Sequence, residues 1–84
     1  MEIRKVFAQN LRKARLSRRL SQEELAHRAD IDRTYVSALE RSAYSASITM
    51  VAKLADALGL EAWELLVRPS RPDRSRPARS LAPR

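Results

Sequence analysis

Apolar positions recur at the spacing of an α-helix through residues 1–67 of this 84-residue chain. Val6, Leu11 and Ala14 fall near one face of a helix predicted over about residues 3 to 17 or 18, and Arg and Lys fill much of its remaining surface. No segment shows the strict alternation of a half-buried strand. The pattern therefore predicts an all-α fold of five short helices.

A capping box predicts that the second helix starts at Ser21. The Ser21 hydroxyl is placed to accept a hydrogen bond from the amide of Glu24, and the Glu24 carboxylate to accept one from the Ser21 amide. The run Asp-Ile-Asp at residues 30–32 then favours a turn, and Asp32 suits the N-cap of a third helix over about residues 33–41. Two short helices joined by so short a turn must cross, as in a helix-turn-helix.

The third helix is predicted to have an inner and an outer face. Val36 and Leu39 are expected to point inward, with Tyr35 at the edge of the core. The outer face is predicted to carry four residues, Arg33, Thr34, Ser37 and Ala38.

The predicted fourth helix is capped by Ser47 and ended by Gly59. Its predicted apolar stripe consists of Ile48, Val51, Leu54, Ala55 and Leu58. Residues 60–67, LEAWELLV, predict a short fifth helix, and residues 42–47 between the third and fourth helices are predicted to form a polar loop.

Composition limits the chain to one modest core, because 84 residues with 44% hydrophobic and 5% aromatic content leave no room for a second domain. The sequence has no cysteine, and therefore no disulfide, cysteine-ligated zinc site or thiol nucleophile. It contains no secretory signal pattern and no apolar run of membrane-spanning length. We expect a cytoplasmic protein with no membrane segment, metal or cofactor.

The formal net charge of +7 is concentrated at the carboxyl end of the chain. Residues 1–67 carry eleven Lys or Arg against nine Asp or Glu, whereas residues 68–84 carry six Arg against Asp73 alone. All four prolines also lie in residues 68–84, where little apolar surface remains to bury. We predict a domain over residues 1–67 followed by a disordered Arg/Pro/Ser-rich arm, residues 68–84, whose charge favours an anionic partner.

Two stretches, LRKARLSRRLSQEELAHRADIDRTYVSALER and SITMVAKLADALGLEAWELL, resemble the Cro and phage-repressor (XRE-like) helix-turn-helix transcription regulators, which include restriction-modification controller proteins. The resemblance covers roughly residues 4 to 67. It is strongest at Gln22, Leu25, Ala26, Val36, Leu39, Glu40, Leu54, Ala55, Leu58 and Gly59. It implies a five-helix, lambda-repressor-like DNA-binding domain, commonly a homodimer on a palindromic operator. The chain departs from the family at Asp30, where the family usually has Gly or a similarly permissive residue, and at Ser42, where it usually has Gly.

In a helix-turn-helix the second of the two helices enters the major groove with its amino-terminal residues at the base edges. The predicted base contacts are therefore Arg33, Thr34 and Ser37. Arg33 has the guanidinium geometry to donate two hydrogen bonds to guanine, and a phosphate contact is its alternative role. The predicted phosphate contacts are Gln22, Tyr35, Arg41, Tyr44, Ser45, Arg18 and Arg19. Gln22 is assigned by the family resemblance, and Tyr35 is equally suited to the core.

The resemblance also implies an internal ion pair between Arg15 and Glu40 that ties the first helix to the third. A two-fold interface is predicted around Leu60, Trp63 and Leu66, because a core this small does not easily cover them. The alternative for Trp63 is that it fills the core of the monomer.

Three other functions compete with DNA binding. An enzyme is not expected, since the chain has one histidine, no Gly-rich phosphate loop and no recognisable pair of catalytic carboxylates. RNA binding is disfavoured because the aromatic stacking platforms of single-strand binders are missing. The stronger rival is an antitoxin or helical protein-interaction module that uses the basic arm to bind an acidic protein.

Overall fold

The computed structural model describes residues 2–68, which form four α-helices and one turn of 3-10 helix. The helices are α1, Ile3–Ser17; α2, Gln22–Ala29; α3, Arg33–Glu40; and α4, Ile48–Leu58. The 3-10 helix spans Ala62–Leu65 and occupies the place of the predicted fifth helix. The all-α fold class is confirmed, whereas most of the predicted arm, residues 69–84, lies outside the described residues.

Side-chain caps start the helices where the sequence predicts them. The Ser21 hydroxyl accepts a hydrogen bond from the Glu24 amide at 2.9 Å, and the Glu24 carboxylate accepts one from the Ser21 amide at 2.8 Å. The Asp32 carboxylate accepts from the Thr34 amide at 2.9 Å, and the Ser47 hydroxyl from the amide at position 50 at 3.0 Å. These bonds satisfy amides that lack a partner inside the helix. The predicted capping box and both predicted N-caps are confirmed.

All four α-helices are followed by a residue with left-handed backbone geometry. The φ angles are 59° at Arg19, 60° at Asp30, 62° at Ser42 and 75° at Gly59. In each case the next residue's amide bonds to a carbonyl five positions earlier, as from Ala43 to the Ala38 carbonyl at 2.9 Å. The two positions where the chain departs from the family's usual glycine thus still adopt the conformation that glycine favours.

The core lies where the four helices and the 3-10 helix meet. Helix α3 packs against α2 and α1, while α4 packs against α2 and the 3-10 helix. The large side chains that are fully buried in the core are Leu11, Leu25, Val36, Leu39, Leu54 and Leu65. None of the helices within residues 2–68 has the length and apolar character needed to cross a bilayer.

Two predicted orientations are wrong. Ala38 is only 3% exposed, although we expected it on the outer face of α3. The chain reverses direction just after α3, at the left-handed Ser42, and the reversal brings the backbone of Ala43 to the Ala38 carbonyl. Ile48 is 89% exposed, although its spacing matches the buried stripe of α4. It is the first residue of α4, and that helix becomes buried only one turn later, at Val51.

Candidate nucleic-acid interface

The first two turns of α3 present the three residues predicted to contact bases. Arg33 and Thr34 are exposed and Ser37 is half-buried. At about 100° per residue, the three side chains lie within one arc of roughly 100°. Val36 and Leu39, on the opposite side of the helix, are fully buried. Helix α3 therefore has a core side and a polar outer side that covers residues 33–37, just over one turn.

The amino end of α3 is capped from within the chain. Because the Asp32 carboxylate accepts the Thr34 amide, the pKa of Asp32 lies below its ordinary value. The cap occupies the backbone amide of Thr34 at the surface, so the hydroxyl and methyl of this residue are the groups left to meet a ligand. The side chain of Arg33 is adjacent and exposed.

At the carboxyl end of α3, Glu40 forms a two-pronged ion pair with Arg15 of α1. Arg15 Nε lies 2.7 Å from Glu40 Oε2, and Arg15 Nη2 lies 3.0 Å from Glu40 Oε1. Arg15 Nη1 also donates to the Leu20 carbonyl at 2.8 Å. Only 8% of the Arg15 side chain and 3% of the Glu40 side chain are exposed. The hydrogen bonds that Arg15 donates to the Glu40 carboxylate raise the pKa of the Arg15 guanidinium.

Gln22, the first residue of α2, is joined to the same pair. Its side-chain nitrogen Nε2 donates to Glu40 Oε1 at 3.1 Å. Gln22 is half-buried, between the amino end of α2 and the carboxyl end of α3. The sequence does not predict the contact between Gln22 and Glu40, because the two residues are 18 positions apart and no local pattern connects them.

Tyr35 and Tyr44 form an aromatic pair at the edge of α3. Their ring centroids are 6.0 Å apart and the ring planes are inclined by 55°. Tyr35 is partly buried against the core, whereas Tyr44 is 57% exposed. The core role left open for Tyr35 is thus present, and Tyr44 is the more accessible of the two.

The arginines and the serine predicted to contact phosphate are all exposed but differ in their hydrogen-bond partners. Arg18 donates from Nε to the Leu58 carbonyl at 2.7 Å and from Nη1 to the Ala14 carbonyl at 3.0 Å, so it ties the end of α1 to the end of α4. Arg18 therefore has a structural role. The other three residues of this set, all exposed, are Arg19, Arg41 and Ser45.

The chain after α4 exposes large apolar side chains. Trp63 is 64% exposed and Leu66 is 41% exposed, while Leu60 is partly buried against the core. The alternative in which Trp63 fills the monomer core is therefore wrong. The segment is held by Asn10, whose Nδ2 donates to the Leu65 carbonyl at 2.9 Å and to the Val67 carbonyl at 2.7 Å. The only local signal for Asn10 was a poor helix former in the middle of α1.

Comparisons with known proteins define the class to which this interface belongs. A family model described as Helix-turn-helix matches residues 11–62. The chain is 44% identical over 68 residues to a hypothetical transcription factor of Neisseria meningitidis serogroup B, a match that spans 81% of this chain but only 64% of that protein. It is 42% identical over 65 residues to the control protein C.BamHI of Bacillus amyloliquefaciens, with 76% of this chain and 80% of that protein covered.

Solved structures agree with the sequence matches. The crystal structure of the Neisseria transcription factor superimposes with a TM-score of 0.79 over 81% of this chain and 78% of that one. The restriction-modification controller protein C.AhdI from Aeromonas hydrophila superimposes with a TM-score of 0.72 at 42% identity, over 74% of this chain and 94% of that one. The fold and these matches define a helix-turn-helix domain of the DNA-binding class. The chain belongs to the XRE-type helix-turn-helix family of transcription regulators, which includes restriction-modification controller proteins.

Proposed function

We propose that this chain is a sequence-specific regulator of transcription that binds double-stranded DNA in the cytoplasm as a homodimer on a palindromic operator. The observation that carries the proposal is the exposed arc of Arg33, Thr34 and Ser37 on a helix whose carboxyl end is fixed by a buried ion pair. A rigid helix with a short polar face suits the major groove, which admits one α-helix. The protein acts by binding, without catalysis.

In this proposal the three residues of the arc contact base edges. Arg33 donates two hydrogen bonds to O6 and N7 of a guanine, a contact that discriminates against other bases by about 1 to 3 kcal/mol. Thr34 contacts a thymine methyl or donates from its hydroxyl, and Ser37 contacts a base or a neighbouring phosphate.

Residues around the arc bind the phosphates on either side of the groove. Gln22 lies at the amino end of α2, where free backbone amides and the helix dipole favour an anion. The loop after α3 supplies further donors that are all exposed, and Arg19 lies at the end of α1. The proposed loop contacts are Arg41, Tyr44 and Ser45. Tyr35 and Arg18 contribute mainly by holding this surface in place.

The proposed two-fold interface is the apolar surface around Trp63 and Leu66, with Leu60 at its inner edge. Exposed tryptophan and leucine at the end of a small domain are typical of a surface that a partner covers. A two-fold axis here would present two copies of α3 to successive turns of DNA, about 34 Å apart. An additional protein partner bound through the basic arm stays a prediction, since nearly all of the arm lies outside the described residues.

Selection of bound duplexes from a random DNA pool, together with native mass measurement of the free protein, tests this function. We expect an enriched sequence with two-fold symmetry and a species of twice the chain mass, free or on DNA. A pool that shows no enrichment, while the protein is folded by circular dichroism, would refute sequence-specific binding. A strict monomer that occupies a single half-site at saturation would refute the two-fold interface.

A further inference from the structure

Three helices meet at the Glu40 carboxylate. Glu40 accepts two hydrogen bonds from Arg15 on α1, at 2.7 and 3.0 Å, and one from Gln22 Nε2 on α2, at 3.1 Å. The Gln22 bond shares Oε1 with Arg15 Nη2. The buried ion pair thus extends to a side chain at the amino end of α2.

We infer that Glu40 is a positioning residue for DNA binding, which sets the orientation of the Gln22 amide on a DNA phosphate. The inference rests on the proposed DNA-binding function. It assigns the ion pair a second role, in addition to joining α1 to α3.

The chemistry of the two acceptors supports this assignment. An ionised carboxylate only accepts hydrogen bonds, so Gln22 must turn its nitrogen and not its oxygen toward Glu40. A phosphate also only accepts hydrogen bonds. The Gln22 nitrogen carries two hydrogens, one of which is used by Glu40, and the second is the side-chain donor that a phosphate requires. Without the carboxylate, the free protein does not hold the amide in this orientation, so part of the binding free energy is spent on turning and immobilising the Gln22 side chain.

Arg15 makes the arrangement compatible with a nearby polyanion. A lone carboxylate at Glu40 would repel phosphates at the short range of the Gln22 contact. The two-pronged contact with Arg15 offsets that charge, and the same contact fixes the position of both carboxylate oxygens. The pair therefore orients Gln22 without adding net negative charge to the surface.

A double-mutant cycle tests the inference on a mixed-sequence DNA duplex at low salt, since a phosphate contact does not depend on base sequence. The first arm is Gln22→Ala, expected to weaken binding about 10-fold. The second arm replaces the ion pair by apolar residues, Arg15→Met with Glu40→Leu, because such exchanges often preserve stability. The third arm combines all three substitutions.

We expect the apolar pair to weaken binding about as much as Gln22→Ala, and the triple variant to lose no more than about 2-fold beyond either. Gln9→Ala, an exposed glutamine on α1, is the matched control and should have the same small effect in both backgrounds. If this apolar pair does not fold by circular dichroism, the cycle is run with a second apolar pair, Arg15→Leu with Glu40→Met, and the same shortfall from additivity is expected.

Two results would overturn the inference without touching the proposed function. One is a folded apolar-pair variant that binds the duplex like the wild type. The other is a full 10-fold effect of Gln22→Ala in every background, since this would make Gln22 independent of Glu40. If the folded wild type fails to bind any duplex at low salt, the proposed function itself is refuted.

Discussion

The guanidinium of Arg15 and the carboxylate of Glu40 face each other across α1 and α3, with both carboxylate oxygens hydrogen-bonded and almost no solvent access. A buried pair of this kind contributes little compared with a well-packed apolar pair, but removing one member leaves an uncompensated buried charge. The pair therefore fixes the position of α3 relative to α1 only while both members are present.

We expect Glu40→Ala to lower the free energy of unfolding by about 3 to 5 kcal/mol. Urea denaturation followed by circular dichroism measures this loss. Arg4→Ala is the matched control, because Arg4 and Glu2 form an ion pair at 3.5 Å that is about half exposed, and its loss should not be measurable. An equally small effect of both substitutions would show that the buried pair does not hold the helices together.

Replacing Ser42 by glycine should stabilise the protein. Ser42 has a φ of 62°, a left-handed conformation that costs a side chain about 1 kcal/mol and costs glycine almost nothing. We expect the free energy of unfolding to rise by up to about 1 kcal/mol. The gain is reduced because glycine has more conformational entropy in the unfolded chain, which favours unfolding. Gly59→Ala is the inverse control. The φ angle of Gly59 is 75° and no atom lies within 4 Å of the added Cβ. The stability lost in Gly59→Ala should therefore come from backbone strain alone.

The cap at Asp32 predicts a component of acid sensitivity. The pKa of the Asp32 carboxyl is lowered in the folded protein because the carboxylate accepts a hydrogen bond from the Thr34 amide. The ionised carboxylate therefore stabilises the fold at pH values above its pKa in the unfolded chain. This stabilisation is lost as the pH falls through the pKa of Asp32 in the folded protein. Stability should therefore fall as the pH drops below about 4. Asp32→Asn retains a capping acceptor but does not titrate, so its thermal midpoint should vary less with pH over this range. An unchanged pH profile in Asp32→Asn would contradict the assignment.

Deleting residues 70–84 should reduce the salt dependence of DNA binding without changing the preferred sequence. The deleted segment carries five Arg and one Asp, and each cation that neutralises a phosphate adds about 0.9 to the slope of log affinity against log salt. Affinities measured over a salt series give that slope. A changed consensus sequence after deletion would show that the arm contacts bases.

The start of each helix after α1 could be predicted from the sequence because an N-cap is a local interaction. Ser21, Asp32 and Ser47 each bond to an amide two or three residues away. The ends of the helices are harder to predict from the sequence. After α1 the left-handed backbone geometry is adopted by Arg19, although arginine rarely adopts it and is not a typical turn residue.

Long-range contacts set the limit of what the sequence could predict about the interface. The outer position of Arg33 follows from helical periodicity, whereas the burial of Ala38 depends on how the next loop folds back. The hydrogen bonds from Asn10 to the Leu65 and Val67 carbonyls join residues more than 50 positions apart, so no periodic pattern in the sequence predicts them. The Arg15–Glu40 pair could be expected only through the family resemblance.

The most direct test of the central claim compares Arg33→Ala with Gln22→Ala on a selected operator and on random DNA. If Arg33 contacts a base, its loss should weaken operator binding by about 1 to 3 kcal/mol, relax specificity at one position per half-site and hardly affect random DNA. Gln22→Ala should weaken both DNAs by similar factors, because a phosphate contact is independent of sequence. Equal weakening of both DNAs by Arg33→Ala, with the fold intact by circular dichroism, would make Arg33 a phosphate ligand and contradict the account.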